Sequence, residues 1–364
     1  MTAPLAGITV IDFSQFLSGP YAGLRLLDMG ARVIKVENPD GGDLCRRHYV
    51  SGTRIKGDST LFHAINRGKE SITLDLKTPQ GLAAARRLIA QADVMIQNFR
   101  PGVIDRLGLS YDQVRALNPA IVYGSISGYG ESGDWAALPG QDLLAQARTG
   151  LMWLSGNAGD GPVPVGLPIA DISAGACLTQ GLLAALFRRE RTGLGGHVQT
   201  SLLEALMDMQ FEFLSTWLTN DETLPERMEQ GSAHGYLGAP YGIYACASGH
   251  LALAMTPLDR LRQVLPLDLI GDPFKDRVSL CREIASHLRT RTAAEWEALM
   301  GSQGIWCARV LTWNEMRRDG GEMVRQMLPP AMPIRMDGIR PTPAVSGPDL
   351  NQHGASLRAE FSLD

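Results

Sequence analysis

The stretch Gly7 to Glu37, GITVIDFSQFLSGPYAGLRLLDMGARVIKVE, decides the fold class. Gly7 to Phe13 is a short apolar run rich in β-branched residues and reads as a buried strand. Ser14 to Pro20 reads as a loop. Tyr21 to Met29 has helical periodicity stopped by Gly30, and Arg32 to Glu37 reads as a second strand, ended by Asn38-Pro39-Asp40-Gly41-Gly42. Strand, helix, strand in this order is a βαβ unit and implies a parallel sheet. The alternation continues outward. Ser71 to Leu76 is strand-like, and Thr78-Pro79 supplies a cap and a first-turn proline for a helix to about Gln91. Asp93 to Asn98 is a strand, Ser110 caps a short helix to Leu117, and Ile121 to Ser127 is a further strand. The class is α/β, doubly wound, with ligands expected beyond the carboxyl ends of the strands.

Farther along, Asp171 to Glu190 reads as a long helix of small and apolar residues, buried on most sides. Arg188, Arg189 and Arg191 in its last turn and Gly193 just beyond are the expected stop. From Thr219 the pattern loosens. Residues 220–240 are loop-like, Tyr241 to Thr256 reads as strands around Ala247-Ser248-Gly249, and Thr292 to Glu295 is a capping box opening a helix to Met300. Met316 to Pro330 is irregular or helical. The tail from Pro341 is proline-rich and then amphipathic.

At 364 residues the chain has room for two domains and a sizeable core. A net charge of -4 and a pI near 6.0 argue against a general nucleic-acid binder. Lys and Arg gather between Arg32 and Arg106, and this reads as a solvated face with a few residues left to hold a phosphorylated ligand. The five cysteines form no CxxC pair and no His cluster has metal-ligand spacing, so neither a disulfide framework nor a metal site is expected. The N-terminus does not have the form of a signal peptide, and no apolar run of about 18 residues suggests a membrane span. A cytoplasmic location follows as the expectation.

Familiar nucleotide and hydrolase motifs are absent. Gly19-Pro20-Tyr21-Ala22-Gly23 is not GxGxxG, although Glu37 at the end of the second strand imitates a ribose-binding acid, and there is no GxxxxGK[ST] or GxSxG. Four ordered blocks carry a positive signal instead: FSQFLSGPYAGLRLLDMGARVIKVENP, NRGKESITLDLKTPQG, ADVMIQNFRPGVIDRLGL and PIADISAGACLTQGLLAALFRRERTGLG. Together they resemble the class III CoA-transferases, the family of formyl-CoA transferase, the carnitine CoA-transferases and the α-methylacyl-CoA racemases. The resemblance is dense over residues 5–205 and thinner afterwards.

The resemblance implies a Rossmann-like large domain over 1–215, a smaller α+β domain over 225–325, and a segment over 330–364 that returns to the large domain. It implies an interlocked homodimer. It implies a CoA-transferase that takes an acyl-CoA thioester as co-substrate, has no tightly bound cofactor, and passes CoA to a small carboxylic acid. Asp171 matches the family's catalytic aspartate, which attacks the thioester to give an anhydride and then an aspartyl-CoA thioester. Read without the family, Asp171 is the cap of the helix that follows, and the two roles can coexist. Gln141 stands where the racemases carry a histidine base. An amide cannot titrate, which points to transfer and away from racemisation.

Asp142 lines up with an acid bordering the site, or is simply a helix-start carboxylate. Leu17 replaces a glutamine of the formyl-CoA transferase site. For CoA, the resemblance implies contacts from Asn38, Leu74, Lys77, Asn98, Phe99 and Arg106, although Asn38 replaces an arginine. The ordinary alternative is core for Leu74 and Phe99, and surface charge for Lys77 and Arg106. Gly231 to Gly238 occupies the region of a mobile glycine-rich loop, without its run of glycines. His234 within it reads as a loop contact. A racemase or a catalytically silent acyl-CoA-binding protein remain the alternative functions.

Overall fold

The computed structural model describes residues 3–48, 52–341, 344 and 346–363. Six strands form one sheet: β1 (Thr9–Asp12), β2 (Arg32–Glu37), β3 (Glu70–Thr73), β4 (Val94–Gln97), β5 (Val122–Ser127) and β6 (Gly196–Ser201). Their order is β3-β2-β1-β4-β5-β6, and every pair is parallel. This is the doubly wound order, with its switch point between β1 and β4. The strands expected from sequence are all present. β6 was not expected: its sequence GHVQTS holds one large apolar residue, because it is an edge strand and need not be apolar on both faces.

The helices flanking the sheet are α1 (Ser18–Asp28), α2 (Pro79–Ala90), α3 (Tyr111–Leu117), α4 (Asp142–Arg148), α5 (Ile169–Thr192) and α6 (Leu202–Met209). Local chemistry sets their ends. Thr78 accepts from the Gly81 amide, Ser110 and Gln113 close a capping box, and α5 stops at Gly193 in the left-handed conformation with φ 72°. One face of the sheet packs on α2 and α3 through Ile11, Ile34, Ile72, Leu88 and Met95, and Leu357 and Phe361 of the returning C-terminal segment complete that core.

Two sequence readings change here. α5 begins at Ile169 with Pro168 at the cap, so Asp171 sits in the first turn and is not the cap. The helix is also not buried on most sides. It is long and apolar enough to cross a bilayer by length and composition, yet it packs on α1, α6, β5 and β6 and leaves Phe187 65% exposed.

The described residues divide into two compact units. The first comprises Met1–Arg148, Leu167–Met209 and Gln326–Asp364, and the second Thr149–Gly166 and Gln210–Arg325. These boundaries differ from a division at 215, 225 and 330, since 149–166 groups with the second unit. That unit holds an antiparallel sheet of β7 (Gly242–Ala245), β8 (His250–Leu253) and β9 (Cys307–Arg309), with helices α7 (Phe211–Thr219), α8 (Arg277–Leu288) and α9 (Ala293–Ser302). Its core is Leu251, Leu253, Ile284, Trp296 and Met300, among others. The expected capping box of Thr292 and Glu295 opens α9. Arg277 fixes the 231–238 loop by donating to the carbonyls of His234, Gly235 and Glu226 at 2.7, 3.1 and 3.3 Å. His234 lies against Phe213, with ring centroids 4.3 Å apart.

Candidate active site

The loop after β1 is built on buried charge. Asp12 pairs with Lys69 at 2.8 Å and Lys35 pairs with Asp43 at 2.8 Å, all four side chains being at most 1% exposed. Asp12 accepts from the amide and hydroxyl of Ser14. Lys35 donates to the Ser14 carbonyl, Lys69 to the Pro20 carbonyl, and Asp43 accepts from the Phe16 amide. Lys69 lies so deep that burial pushes its ammonium down to about 8, against the pull of Asp12 and together with the repulsion of Lys35. Glu37, the imitation ribose acid, is taken by Arg46 at 2.7 Å and by the Ser71 hydroxyl. The expectation of a solvated basic face therefore fails for Lys35, Arg46, Arg67 and Lys69, which are buried. Phe16, in the same loop, holds a left-handed backbone with φ 61° and leaves its ring 46% exposed. Such strain in a non-glycine residue gathers at functional sites.

Asn98, just past β4, ties this loop across the switch point. Its Oδ1 accepts from the Gln15 amide at 2.8 Å. Its Nδ2 donates to the Gln15 carbonyl at 2.8 Å and to the Ser18 hydroxyl at 3.3 Å. Ser18 also acts on Asp171, favouring its ionised carboxylate. α1 and α5 approach closely here, which Gly175 permits: a Cβ there would lie 2.5 Å from the Ser18 carbonyl oxygen.

Asp142 opens α4, as one sequence reading expected, and does a second thing that reading missed. Its Oδ1 accepts from the amides of Ala170 and Asp171 at 2.7 and 3.2 Å, capping α5 from outside that helix, while Gln146 donates to its Oδ2 at 2.7 Å. Two carboxylates thus meet at the start of α5. Burial and, second, the charge of Asp142 push Asp171 up to about 6, with the Ser18 hydrogen bond pulling the other way. At pH 7 roughly nine-tenths of such a group is ionised, and the raised pKa makes it a stronger base and nucleophile than an ordinary aspartate.

The remaining sequence candidates fall along one edge of the sheet. Leu17 follows β1 and is buried against Cys45, Phe62 and Ile65. Asn38 follows β2, exposed, its side chain accepting from the Asp40 amide at 2.9 Å. Leu74 and Lys77 follow β3, and Phe99 and Arg106 follow β4. Leu74 is core and Phe99 packs on that core, while Lys77 and Arg106 are exposed cations. Asn98 is committed to the loop through both ends of its amide. Gln141 is exposed one residue before Asp142. Sequence reasoning passed over Ser18, whose only signal was its place at the start of a helix. Among the described residues no three His, Cys, Asp or Glu side chains come together to hold a metal ion.

Fold and site define an α/β protein with a parallel, doubly wound sheet and a helix-mounted carboxylate of raised basicity. Residues 5–354 match the model of CoA-transferase family III. The chain is 31% identical to the acetyl-CoA:oxalate CoA-transferase of Acetobacter aceti, over 99% of this chain and 96% of that protein. It is 36% identical to the succinate–glutarate CoA-transferase of Agrobacterium fabrum, over 81% of this chain and 74% of that one. The crystal structure of a CAIB/BAIF family protein from Brucella suis superposes with a TM-score of 0.86 at 31% identity, covering 99% of this chain and 100% of that one. The chain belongs to CoA-transferase family III and is an enzyme of that class.

Proposed function

We propose that the enzyme moves CoA from an acyl-CoA to a small carboxylic acid, with Asp171 as the covalent nucleophile. The observation that carries this reading is the half-buried carboxylate of Asp171, set in the first turn of α5 beside Asp142 in a family III chain. Its oxygen attacks the thioester carbonyl, the C–S bond breaks, and CoA leaves as the thiolate. The thiolate then attacks the aspartyl carbonyl of the mixed anhydride, freeing the donor acid and leaving CoA on Asp171. The incoming acid reverses both steps. CoA itself lies along the carboxyl ends of β2, β3 and β4, with Asn98 and Phe99 by the adenine, Arg106 near the nucleotide, and Asn38, Leu74 and Lys77 as further contacts. Leu17, Gln141 and Asp142 border the acyl group. The relatives named for oxalate, succinate and glutarate favour a dicarboxylic acceptor.

One assay in heavy water tests the reaction and its main rival. The protein is incubated with acetyl- or succinyl-CoA and a panel of dicarboxylic and hydroxy acids. The expected result is a new thioester by mass, without deuterium at the α-carbon of an added 2-methylacyl-CoA, because Gln141 cannot act as a base. Rapid deuterium entry without thioester exchange would place the chain among racemases. Neither event would make it a silent acyl-CoA binder.

The working enzyme is a homodimer in this reading, and cytoplasmic, in keeping with five free cysteines. Within the first unit, α4, α5 and α6 pack together and expose Leu143, Leu144, Phe187, Met207 and Met209, each at least 41% accessible. Exposed apolar side chains on one helical layer support an interface there. Light scattering at micromolar concentration should give twice the 39.4 kDa of one chain. A mass of one chain would sink the dimer.

A further inference from the structure

We propose that Asn351 is a positioning residue for CoA: it clips the open edge of β3 and so fixes where Leu74 and Lys77 stand. The inference rests on CoA lying along the carboxyl ends of β2, β3 and β4. β3 is the outer strand of the sheet, so the N–H and C=O groups on its far side have no strand to pair with. The C-terminal segment takes them instead. Ser71 donates its amide to His353 Nδ1 at 3.1 Å, and its carbonyl accepts from the His353 amide at 3.0 Å. The Thr73 amide donates to Asn351 Oδ1 at 2.9 Å, and Arg358 donates to the Thr73 carbonyl at 3.4 Å. Side chains here stand in for a seventh strand.

Two features fit Asn351 to that place. Its backbone is left-handed, with φ 58°, which asparagine tolerates better than most residues. Gly354, three residues on, leaves room for the amide, since a Cβ there would overlap Asn351 Oδ1. The same segment also reaches the end of β2. The Asn351 amide donates to Ser71 Oγ at 3.0 Å, and Ser71 Oγ donates to Glu37 Oε1 at 2.7 Å. Arg46, paired with Glu37, donates to the Pro348 carbonyl at 3.1 Å. Leu74 closes the circuit by donating its amide to the Glu37 carbonyl at 3.0 Å. Asn38 and Leu74, the first contact residues after β2 and β3, thus follow directly on groups that the segment holds. A contact run ordered in advance costs less to immobilise when CoA binds, and the chemistry at Asp171 is left alone.

The test compares full-length wild type with Asn351→Gly, Gly354→Ala, Asn351→Asp and Lys77→Met. Glycine adopts the backbone of residue 351 freely, and alanine favours the helix Gly354–Glu360, so the first two changes remove the clip without opposing the local backbone. The Kd of free CoA is measured by calorimetry. The kcat is measured with acetyl-CoA and oxalate or with succinyl-CoA and glutarate, whichever wild type exchanges faster. Hydrogen exchange of the 70–77 peptide reports the clip itself. Asn351→Gly and Gly354→Ala should each raise the Kd about fivefold, the size of one lost hydrogen bond, and hasten exchange at Thr73, with kcat within about twofold of wild type. Asn351→Asp keeps an oxygen on the Thr73 amide and should recover most of the affinity. Lys77→Met checks the placement of CoA and should raise the Kd as well. If it does while Asn351→Gly and Gly354→Ala do not, the clip merely covers an edge, and the role of Asn351 falls with the placement of CoA standing. A lower kcat at unchanged Kd overturns that role too. If Lys77→Met leaves the Kd unmoved, CoA does not lie at the end of β3, and the inference falls with that reading.

Discussion

Replacing Asp171 with asparagine should abolish CoA exchange and at the same time make the protein more stable. The first effect is chemical. An amide cannot form the anhydride, and loss of a covalent nucleophile commonly costs at least about a thousandfold in rate. The hydroxylamine-sensitive CoA adduct on the Asp171 peptide should vanish with it, while CoA binding persists. The second effect follows from the site's electrostatics. Asp171 is ionised at neutral pH although burial and Asp142 oppose its charge, and its pKa of about 6 lies above the 3.8 of an unperturbed aspartate. A raised acid pKa means that the folded state holds its proton more tightly than the unfolded state. The group's contribution to stability therefore falls as pH rises from about 4 to about 6. Above that window the penalty is complete, of the order of 1–2 kcal/mol after allowance for partial exposure. Asparagine has no charge to bury. Its advantage in denaturant midpoint should be full at pH 7.5 and shrink at pH 5. A variant less stable than wild type at pH 7.5 would contradict the strained carboxylate. Full exchange activity, in protein shown by mass not to have deamidated, would contradict the nucleophile.

The sequence was most legible where one residue's chemistry fixes a local outcome. Thr78, Ser110 and Thr292 cap the helices their spacing predicts, and Gly193 ends α5 in the left-handed conformation only glycine adopts freely. β1 and β4 are short, largely apolar runs because a parallel sheet is buried on both faces. The start of α5 was misplaced because the residue that satisfies its first amides, Asp142, comes from another helix. No local pattern announces a cap supplied from 28 residues away. Of the candidate site, Asp171 was singled out through the family's blocks and Asp142 through the resemblance outside them. The path from Asn98 through Ser18 was not, since it joins loops that meet only when β1 and β4 pair. The same holds for Lys35 and Lys69. A lysine in a strand pattern reads as an exposed edge until the carboxylates that neutralise it, Asp43 and Asp12, are seen beside it.

That buried charge sets the last expectation. Lys69→Met should be among the most destabilising single changes in the first unit, by about 3–5 kcal/mol, because it strands Asp12 without its closest counter-charge in a water-free interior. Lys69 also donates to the Pro20 carbonyl, which loses its partner. A change of this size corresponds to a drop in melting temperature of roughly 10 °C for a domain of this size. The double change Asp12→Asn with Lys69→Met separates charge from packing. Asparagine can still accept from the amide and hydroxyl of Ser14, and methionine fills much of the lysine's volume with no ion left to bury. Replacing both members of a buried ion pair is often close to neutral, so most of the lost stability should return, a coupling of at least about 2 kcal/mol between the two sites. Activity should follow stability in the same order. Asp12 and Lys69 hold the two ends of the loop between β1 and α1, which packs on α5, so stranding one of them loosens the surroundings of Asp171. Differential scanning fluorimetry and the exchange assay on Lys69→Met, Asp12→Asn and the double variant test both statements. Additive losses in the double variant would show that the pair does not act as a unit, and that the loop takes its shape from Asn98 and the Lys35–Asp43 pair instead.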